Sequence, residues 1–187
     1  CEVNESKMYE ICKQQQVKYD EISEFCKIVS LAKQFLYTGQ EAPAEWEYIW
    51  DQYEISLPYS EGKVDKAKVL LSESVRINDS QIDFDDMLYA PLIANCKLPT
   101  FDFVLIDEAQ DTNPSRRELD IRMLNGRGRL VAVGDDRQAI YGFTGADADA
   151  MDLIQERLGS AVLPLTVTYR CPKQIVKLAQ RWVPDIE

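Results

Sequence analysis

The chain of 187 residues contains no histidine. This excludes catalytic triads with a histidine base, histidine general bases and histidine metal ligands. Its five cysteines are odd in number and scattered, and no pair has the CxxC spacing, so neither a zinc site nor a disulfide framework is expected. Such cysteines are typical of free thiols in a reducing compartment, and we expect a cytoplasmic protein.

Long apolar runs and a phosphate-binding loop are also missing. No run approaches the roughly 18 apolar residues of a membrane-spanning helix, and there is no signal peptide, so no membrane partner is expected. The pattern GxxxxGK[ST] is absent, because Glu61-Gly62-Lys63 lacks the first glycine and the Ser or Thr. Since the chain starts at Cys1 and carries no phosphate cradle, we expect an internal segment of a longer protein.

Positive charge is scarce, with 21 Lys and Arg against 32 Asp and Glu, for a net charge of −11. Phosphate groups are bound by Lys and Arg, so this balance argues mildly against a nucleic-acid partner. An acidic domain can still carry a local basic groove. Apolar residues make up 45% of the chain, which is typical of a folded protein.

The most informative stretch is residues 101–111, FDFVLIDEAQD. Its apolar run predicts a strand buried on both faces, as in a parallel sheet covered by helices. The run stops at Asp107 and Glu108, and two carboxylates there are costly unless a partner pairs with them. A hydrated Mg²⁺ is the simplest partner, with Asp107 holding the metal and Glu108 polarising a water, as in the Walker B arrangement. The alternative is a strand that ends in a solvated acidic turn.

The first 80 residues are predicted to be helical. Apolar spacing indicates helices over residues 2–37, 43–53 and 63–75. The second of these is rich in aromatics, including Trp46, Tyr48, Trp50 and Tyr53. They indicate either a stacking surface for bases or the core of a small helical domain, and the core interpretation is favoured.

From about residue 81, strands and helices alternate. We predict a short helix capped by an Asp at 83–88, strands over residues 101–106, 129–133 and 161–167, and helices over residues 114–124, 147–158 and 172–182. The order β-α-β-α-β-α is typical of a parallel, doubly wound sheet. The strands end at residues 107–111, 133–147 and 168–170, which therefore meet at one edge, where a nucleotide binds.

The segments DEAQD, GDDRQAIYGFTGA and TYR, in this order and spacing, resemble motifs II, III and IV of superfamily 1 DNA helicases of the UvrD/Rep type. DFDDML at 83–88 resembles the segment that precedes Walker B in that family. The resemblance covers residues 83 to about 175. It implies an α/β fold, in which residues 81–187 form part of a P-loop NTPase (RecA-like) parallel sheet, domain 1A, and residues 1–80 form the mostly α-helical subdomain 1B.

The resemblance also implies roles for single residues. Asp107 resembles the Mg²⁺ ligand, Glu108 the base that activates water, and Gln138 the glutamine that senses the γ-phosphate of ATP. Tyr169 resembles the tyrosine that stacks on adenine, and Arg170 an arginine that reaches the γ-phosphate. Arginine suits phosphate oxygens because its charge is planar and permanent.

The DNA contacts are implied for Tyr141 and Phe143, which occupy the segment that touches single-stranded DNA in the family. Phe143 stands where the family usually has a base-stacking tryptophan, so either it stacks on a base or it fills the junction between 1A and 1B. Thr144 stands where an arginine is common. Thr168 and Cys171 replace the usual Asn and Ser beside the Tyr-Arg pair.

The function implied is that of a fragment of an ATP-dependent DNA helicase, of the kind that acts in DNA repair. Such an enzyme couples Mg-ATP hydrolysis to 3′-5′ translocation on single-stranded DNA and to unwinding at duplex junctions. Two alternatives stay open: a helicase-nuclease fusion of the RecB or AddA kind, and a degenerate helicase-like module that binds DNA or protein without ATP turnover. The isolated fragment is expected to be inactive.

Overall fold

The three-dimensional structure is a computed structural model that describes residues 2–138, 149–184 and 186. Contacts divide the chain into two compact units, Cys1–Leu153 and Ile154–Glu187, which are described separately below. The regular elements in chain order are β1 (Glu2–Val3), α1 (Lys7–Gln14), α2 (Ile22–Gln34), α3 (Pro43–Gln52), α4 (Glu61–Arg76), β2 (Gln81–Ile82), α5 (Phe84–Ile93), β3 (Phe101–Ile106), α6 (Pro114–Arg122), β4 (Leu124–Ala132), α7 (Ala150–Leu158) and α8 (Lys173–Ala179).

The single helix predicted over residues 2–37 is wrong, because this stretch forms β1, α1 and α2. The helix α1 ends where the amide of Val17 donates to the carbonyl of Cys12 at 2.9 Å, and Gln16 takes a left-handed conformation with φ of +57°. Residues 13–16, a lysine followed by three glutamines, are mostly exposed and offer no apolar face to pack. A helix without a packed face is only marginally stable, which explains why it breaks here.

The four helices α1 to α4 enclose the main apolar core of the first unit. The predicted helices at residues 43–53 and 63–75 are confirmed as α3 and α4. Trp46 and Trp50 are buried, and the indole Nε1 of Trp50 donates to the carbonyl of Leu57 at 2.8 Å. The core interpretation of these two tryptophans is therefore confirmed, whereas Tyr48 is partly exposed.

The helix α5 begins as predicted at an aspartate cap. Asp83 Oδ1 accepts from the amide of Asp86 at 2.9 Å, and Asp86 Oδ2 accepts from the amide of Asp83 at 3.0 Å. This reciprocal pair satisfies two amides that the first turn of a helix leaves free. Ser30 of α2 also donates to Asp85 at 2.6 Å, so that the helix preceding β3 is anchored to α2.

Strands β3 and β4 form a parallel pair, with Phe103 opposite Arg129 and Leu105 opposite Val131. The connecting helix α6 begins after Asn113, whose side chain accepts from the amide of Arg116, and Pro114 lies in its first turn. The prediction of a strand at residues 129–133 is confirmed in place, although β4 begins earlier, at Leu124. The mixed α/β class predicted from the sequence is confirmed.

The prediction that β3 is buried on both faces is wrong. Phe103 is 66% exposed and Leu105 is 76% exposed, whereas Ile106 at the end of the strand is buried. The sheet formed by β3 and β4 has two strands, and the described residues do not cover this apolar face. A parallel strand is buried on both faces only where packed layers lie on each side of the sheet.

In the second unit, the strand predicted at residues 161–167 is wrong, because residues 160–168 have no regular structure. Leu163 and Leu165 are largely exposed there, and Pro164 between them cannot donate a ladder hydrogen bond. Without a partner strand the apolar pattern does not form a strand. The last helix is confirmed but is shorter than predicted, with Pro172 as its N-cap.

The helices that the structure describes are all too short or too polar to cross a membrane.

Candidate functional site

The carboxyl end of β3 turns sharply at Glu108. This residue has φ of +50° and ψ of +47°, a left-handed conformation that costs a non-glycine residue about 1–3 kcal/mol. The side chain of Asp107 accepts from the amide of Glu108 at 3.0 Å, and the amide of Asp111 donates to the carbonyl of Glu108 at 2.9 Å. The turn leaves both acidic side chains exposed at the end of the strand.

The carboxyl end of β4 lies beside this turn. The amide of Val133 donates to the carbonyl of Ile106 at 2.8 Å, and the amide of Ala109 donates to the carbonyl of Val133 at 2.9 Å. These bonds continue the parallel pairing beyond the two strands. The chain that follows β4 is therefore held against the turn at Glu108.

Gln110 joins the two strand ends, and its side chain is only 2% exposed. Its Nε2 donates to Oε2 of Glu108 at 2.8 Å and, in a longer contact, to Oδ2 of Asp111 at 3.4 Å. Its Oε1 accepts from the backbone amide of Asp135 at 3.1 Å. The sequence predicts that Gln110 lies at this edge but indicates no role for it, because its burial and its contact with a residue 25 positions away depend on the tertiary structure.

Gln138 is connected to the same network through Asp135. The side chain of Gln138 donates from Nε2 to Oδ2 of Asp135 at 2.8 Å, and the backbone amide of Gln138 donates to the backbone carbonyl of Asp135 at 2.8 Å. A short 3-10 helix, Asp136–Gln138, forms this turn. A continuous chain of hydrogen bonds thus runs from Glu108 through Gln110 and Asp135 to Gln138.

Gly134 makes room for this network. A Cβ atom at this position would collide with Oε1 of Gln110 and would lie 2.9 Å from Sδ of Met151 and 3.1 Å from the amide nitrogen of Ala109. The glycine therefore permits the close approach of the two strand ends.

The acidic groups at this edge suit Mg²⁺ better than a metal ion whose ligands all come from the protein. The described residues contain no group of three or more His, Cys, Asp or Glu side chains that could hold a metal ion. Magnesium is usually bound through one or two carboxylates, with waters and phosphate oxygens completing its shell. Asp107 fits that chemistry as a single carboxylate ligand.

The four other predicted site residues belong to the second unit or fall outside the described residues. Tyr169 and Arg170 belong to the second unit, where the Tyr169 side chain is 96% exposed and the amide of Arg170 donates to Oγ1 of Thr168 at 3.4 Å. Tyr141 and Phe143 lie outside the described residues. Within the first unit, the structure brings Glu108 and Gln138 into one network and places Asp107 next to it.

Comparison with known proteins places the chain in a family. Residues 4–158 match the model of the UvrD/REP helicase N-terminal domain, and the chain belongs to that family. The resemblance predicted from the motifs is confirmed.

Three curated relatives illustrate the similarity. The chain is 34% identical over 109 residues to the putative ATP-dependent DNA helicase YjcD of Bacillus subtilis, which covers 54% of the chain and 14% of the relative. It is 32% identical over 111 residues to DNA helicase IV of Escherichia coli, and the match covers 56% of the chain and 16% of the relative. It is 33% identical over 140 residues to the ATP-dependent DNA helicase UvrD2 of Mycobacterium tuberculosis, and the match covers 70% of the chain and 19% of the relative. The chain thus spans less than a fifth of these relatives.

Proposed function

We propose that the chain is an internal part of an ATP-dependent DNA helicase that couples Mg-ATP hydrolysis to 3′-5′ translocation on single-stranded DNA and to duplex unwinding. The observation that carries this proposal is the hydrogen-bonded connection between Glu108 and Gln138 at the carboxyl ends of two parallel strands, beside Asp107. In open α/β sheets this edge is where ligands bind. Family membership adds that relatives with this domain are named DNA helicases.

Each site residue has a chemical task in this proposal. Asp107 would hold Mg²⁺, which would supply positive charge to the phosphates of ATP. Glu108 accepts a proton from the attacking water. Gln138 senses the γ-phosphate. Tyr169 stacks on adenine, and the high exposure of its ring leaves it available for a ligand. Arg170 provides a permanent positive charge for the γ-phosphate.

The domain assignment belongs to the same proposal. Residues 81–187 are part of a RecA-like domain 1A, supported by the parallel unit β3-α6-β4, and residues 1–80 are the helical subdomain 1B, supported by the helices α1 to α4. The sequence contains no GxxxxGK[ST] loop. The phosphate cradle and the second RecA-like wall of the ATP site therefore come from other parts of the longer protein.

The DNA partner is single-stranded DNA and its junction with a duplex. Tyr141 and Phe143 touch the single strand, with the Phe143 ring as a stacking platform for a base. Stacking is independent of base sequence, because every base presents a π-face. This contact does not need a basic surface, which is compatible with the net charge of −11.

The proposal is tested on the two acidic residues in the full-length protein that contains this chain. Glu108→Gln should abolish ATP turnover and leave Mg-ATP binding largely intact, because the carboxylate acts on water and does not hold the metal. Asp107→Asn should instead weaken the dependence on Mg²⁺. Phosphate release and the binding of a fluorescent ATP analogue across a Mg²⁺ titration measure both. If the two variants bind Mg-ATP equally poorly, this division of roles is wrong.

A further inference from the structure

The side chain of Gln110 fills a position that few other side chains could fill. It is buried, it donates to the carboxylates of Glu108 and Asp111, and it accepts from the amide of Asp135. The orientation of its amide is determined by these partners, because the reverse orientation would set its oxygen against two carboxylates and its NH₂ against an N–H. The amide therefore has one orientation that satisfies all three contacts.

From this geometry we propose that Gln110 is a positioning residue for ATP hydrolysis. It holds the carboxylate of Glu108 in place and ties it to the turn that carries Gln138, so that the base and the γ-phosphate sensor move together. This inference rests on the proposed function of Glu108 and Gln138 and extends it to a residue that does not itself touch the ATP.

The local backbone explains why such a residue is needed. Glu108 lies in a left-handed turn at the end of β3 and its side chain is exposed. An exposed glutamate samples several rotamers, and each rotamer places the carboxylate differently. The 2.8 Å hydrogen bond from Nε2 of Gln110 to Glu108 favours one of these rotamers. The hydrogen bond between Gln110 and Asp135 holds the side-chain amide of Gln110 in place, so that it does not move with the glutamate.

The chemistry of the amide group is specific. A glutamate at position 110, at a pH where it is ionised, could accept from the amide of Asp135 but could not donate to Glu108. A methionine has a similar length but can do neither, and a lysine could donate but could not accept. Substitutions at position 110 can therefore remove the contact with Glu108 and the contact with Asp135 separately.

Gly134 provides a second, independent approach to the same contact. A Cβ there would collide first with Oε1 of Gln110 and would also lie close to Sδ of Met151 and the backbone nitrogen of Ala109. Gly134→Ala should therefore displace the side-chain amide of Gln110 without changing any polar group. Gly126 is a matched control in β4, since a Cβ there would meet no atom within 4 Å.

The kinetic test compares Gln110→Glu, Gln110→Met, Gly134→Ala and Gly126→Ala in the full-length protein. A misplacement of a reacting group by about 1 Å can lower the rate by about 100-fold. We expect kcat for DNA-stimulated ATP hydrolysis to fall by about that factor in the first three variants, with KM for Mg-ATP within about twofold of wild type. Gly126→Ala should behave as wild type. The combined Gln110→Met and Gly134→Ala variant should be no slower than the slower single variant, because both changes break the same contact.

A second measurement does not depend on ATP. In the 187-residue chain, exchange of the Asp135 amide hydrogen, followed by NMR, should be slow in wild type and in Gln110→Glu and at least tenfold faster in Gln110→Met. Gln110→Glu should thus keep the anchor at Asp135 while losing kcat.

The outcomes distinguish this inference from the proposed function. A wild-type kcat in Gln110→Glu, a rise in KM that matches the fall in kcat, multiplying effects in the combined variant, or unchanged Asp135 exchange in Gln110→Met would each overturn the positioning role and leave the proposed function standing. A wild-type full-length protein that does not hydrolyse ATP would overturn the proposed function, and the positioning role with it.

Discussion

The ammonium group of Lys33 lies 2.8 Å from Oδ1 of Asp86, and both side chains are completely buried. Lys33 also lies 2.6 Å from Oδ2 of Asp83, and Lys7 lies 2.6 Å from Oδ2 of Asp86. Burial alone would raise the pKa of Asp86, but the neighbouring lysines and the Asp83 amide outweigh it and lower that pKa. Burial lowers the pKa of Lys7. Two lysines and two aspartates thus form a neutral buried cluster that joins α1 and α2 to α5.

Removing one partner from this cluster should strongly destabilise the first unit. Asp86→Asn leaves two buried ammonium groups with one carboxylate, and breaking a buried pair in this way costs about 3–5 kcal/mol. The free energy of unfolding, measured by urea denaturation with circular dichroism, should fall by about that amount. Glu73→Gln is the matched control, since its pair with Arg76 lies at the surface, with the Arg76 side chain 67% and the Glu73 side chain 30% exposed, and such pairs contribute about 0–1 kcal/mol. Equal losses in the two variants would contradict this prediction.

Stability should also fall at high pH because of Tyr89. Burial raises the pKa of Tyr89 to about 12, from 10.0 for an unperturbed tyrosine, and its hydroxyl donates to the carbonyl of Tyr37 at 2.6 Å. A group whose pKa is raised on folding stabilises the protein below the unfolded value, and this stability is lost as the pH rises from about 10 to about 12.

The Tyr89 contribution can be isolated by comparing variants. Tyr89→Phe should lose stability less steeply than wild type between about pH 10 and pH 12, with a difference of about 2 kcal/mol across that window. Urea denaturation at several pH values measures this slope. Tyr19→Phe is the control, because the Tyr19 side chain is exposed to water and its loss should leave the curve unchanged. Parallel curves for wild type and Tyr89→Phe would contradict the prediction.

The isolated 187-residue chain should not hydrolyse ATP at a meaningful rate. It lacks a GxxxxGK[ST] loop, and the proposed function assigns the other wall of the ATP site to a second RecA-like domain. Both are needed to neutralise charge in the transition state of phosphoryl transfer. Phosphate release is measured with and without single-stranded DNA, with the full-length protein as the positive control. DNA-stimulated turnover by the isolated chain would refute this prediction.

Phe143 should act on DNA rather than on stability. In the full-length protein, Phe143→Ala should weaken single-stranded DNA binding by roughly 1–3 kcal/mol and slow unwinding, because one base loses its stacking partner. Its melting temperature should change little. Fluorescence anisotropy with a labelled oligonucleotide and a thermal melt measure the two effects.

The alternative for Phe143, a plug at the 1A–1B junction, predicts a different result. Removing a buried phenylalanine costs about 3–5 kcal/mol of stability, and the folded molecules would bind DNA normally. Phe143→Trp provides the opposite test. Stacking predicts equal or tighter DNA binding, whereas a filled junction predicts strain from overpacking.

Features that depend on neighbouring residues were predictable from the sequence. Asp83 caps α5, and Asn113 caps α6 with Pro114 in its first turn, because a cap needs only the amides two or three residues further along the chain. The strand Phe101–Ile106 followed from its apolar run. The position of Asp107 and Glu108 at a strand end followed from the same reasoning.

The errors arose where a pattern needs a distant partner. An apolar run indicates that burial is favourable, but whether Phe103 or Leu165 is buried depends on which element lies against it. The same limit applies to the helix predicted over residues 2–37, because its polar middle section had no packed face to stabilise it.

By itself, the sequence therefore determined the local elements, the order of the motifs and the chemical groups at the strand ends. Tertiary structure alone decided the contacts between distant residues: Lys7 with Asp86, 79 residues apart, and Gln110 with Asp135, 25 residues apart. The physical reason is that a cap or turn is formed by a few adjacent residues, whereas a buried ion pair or a buried amide is stable only when the whole fold excludes water around it.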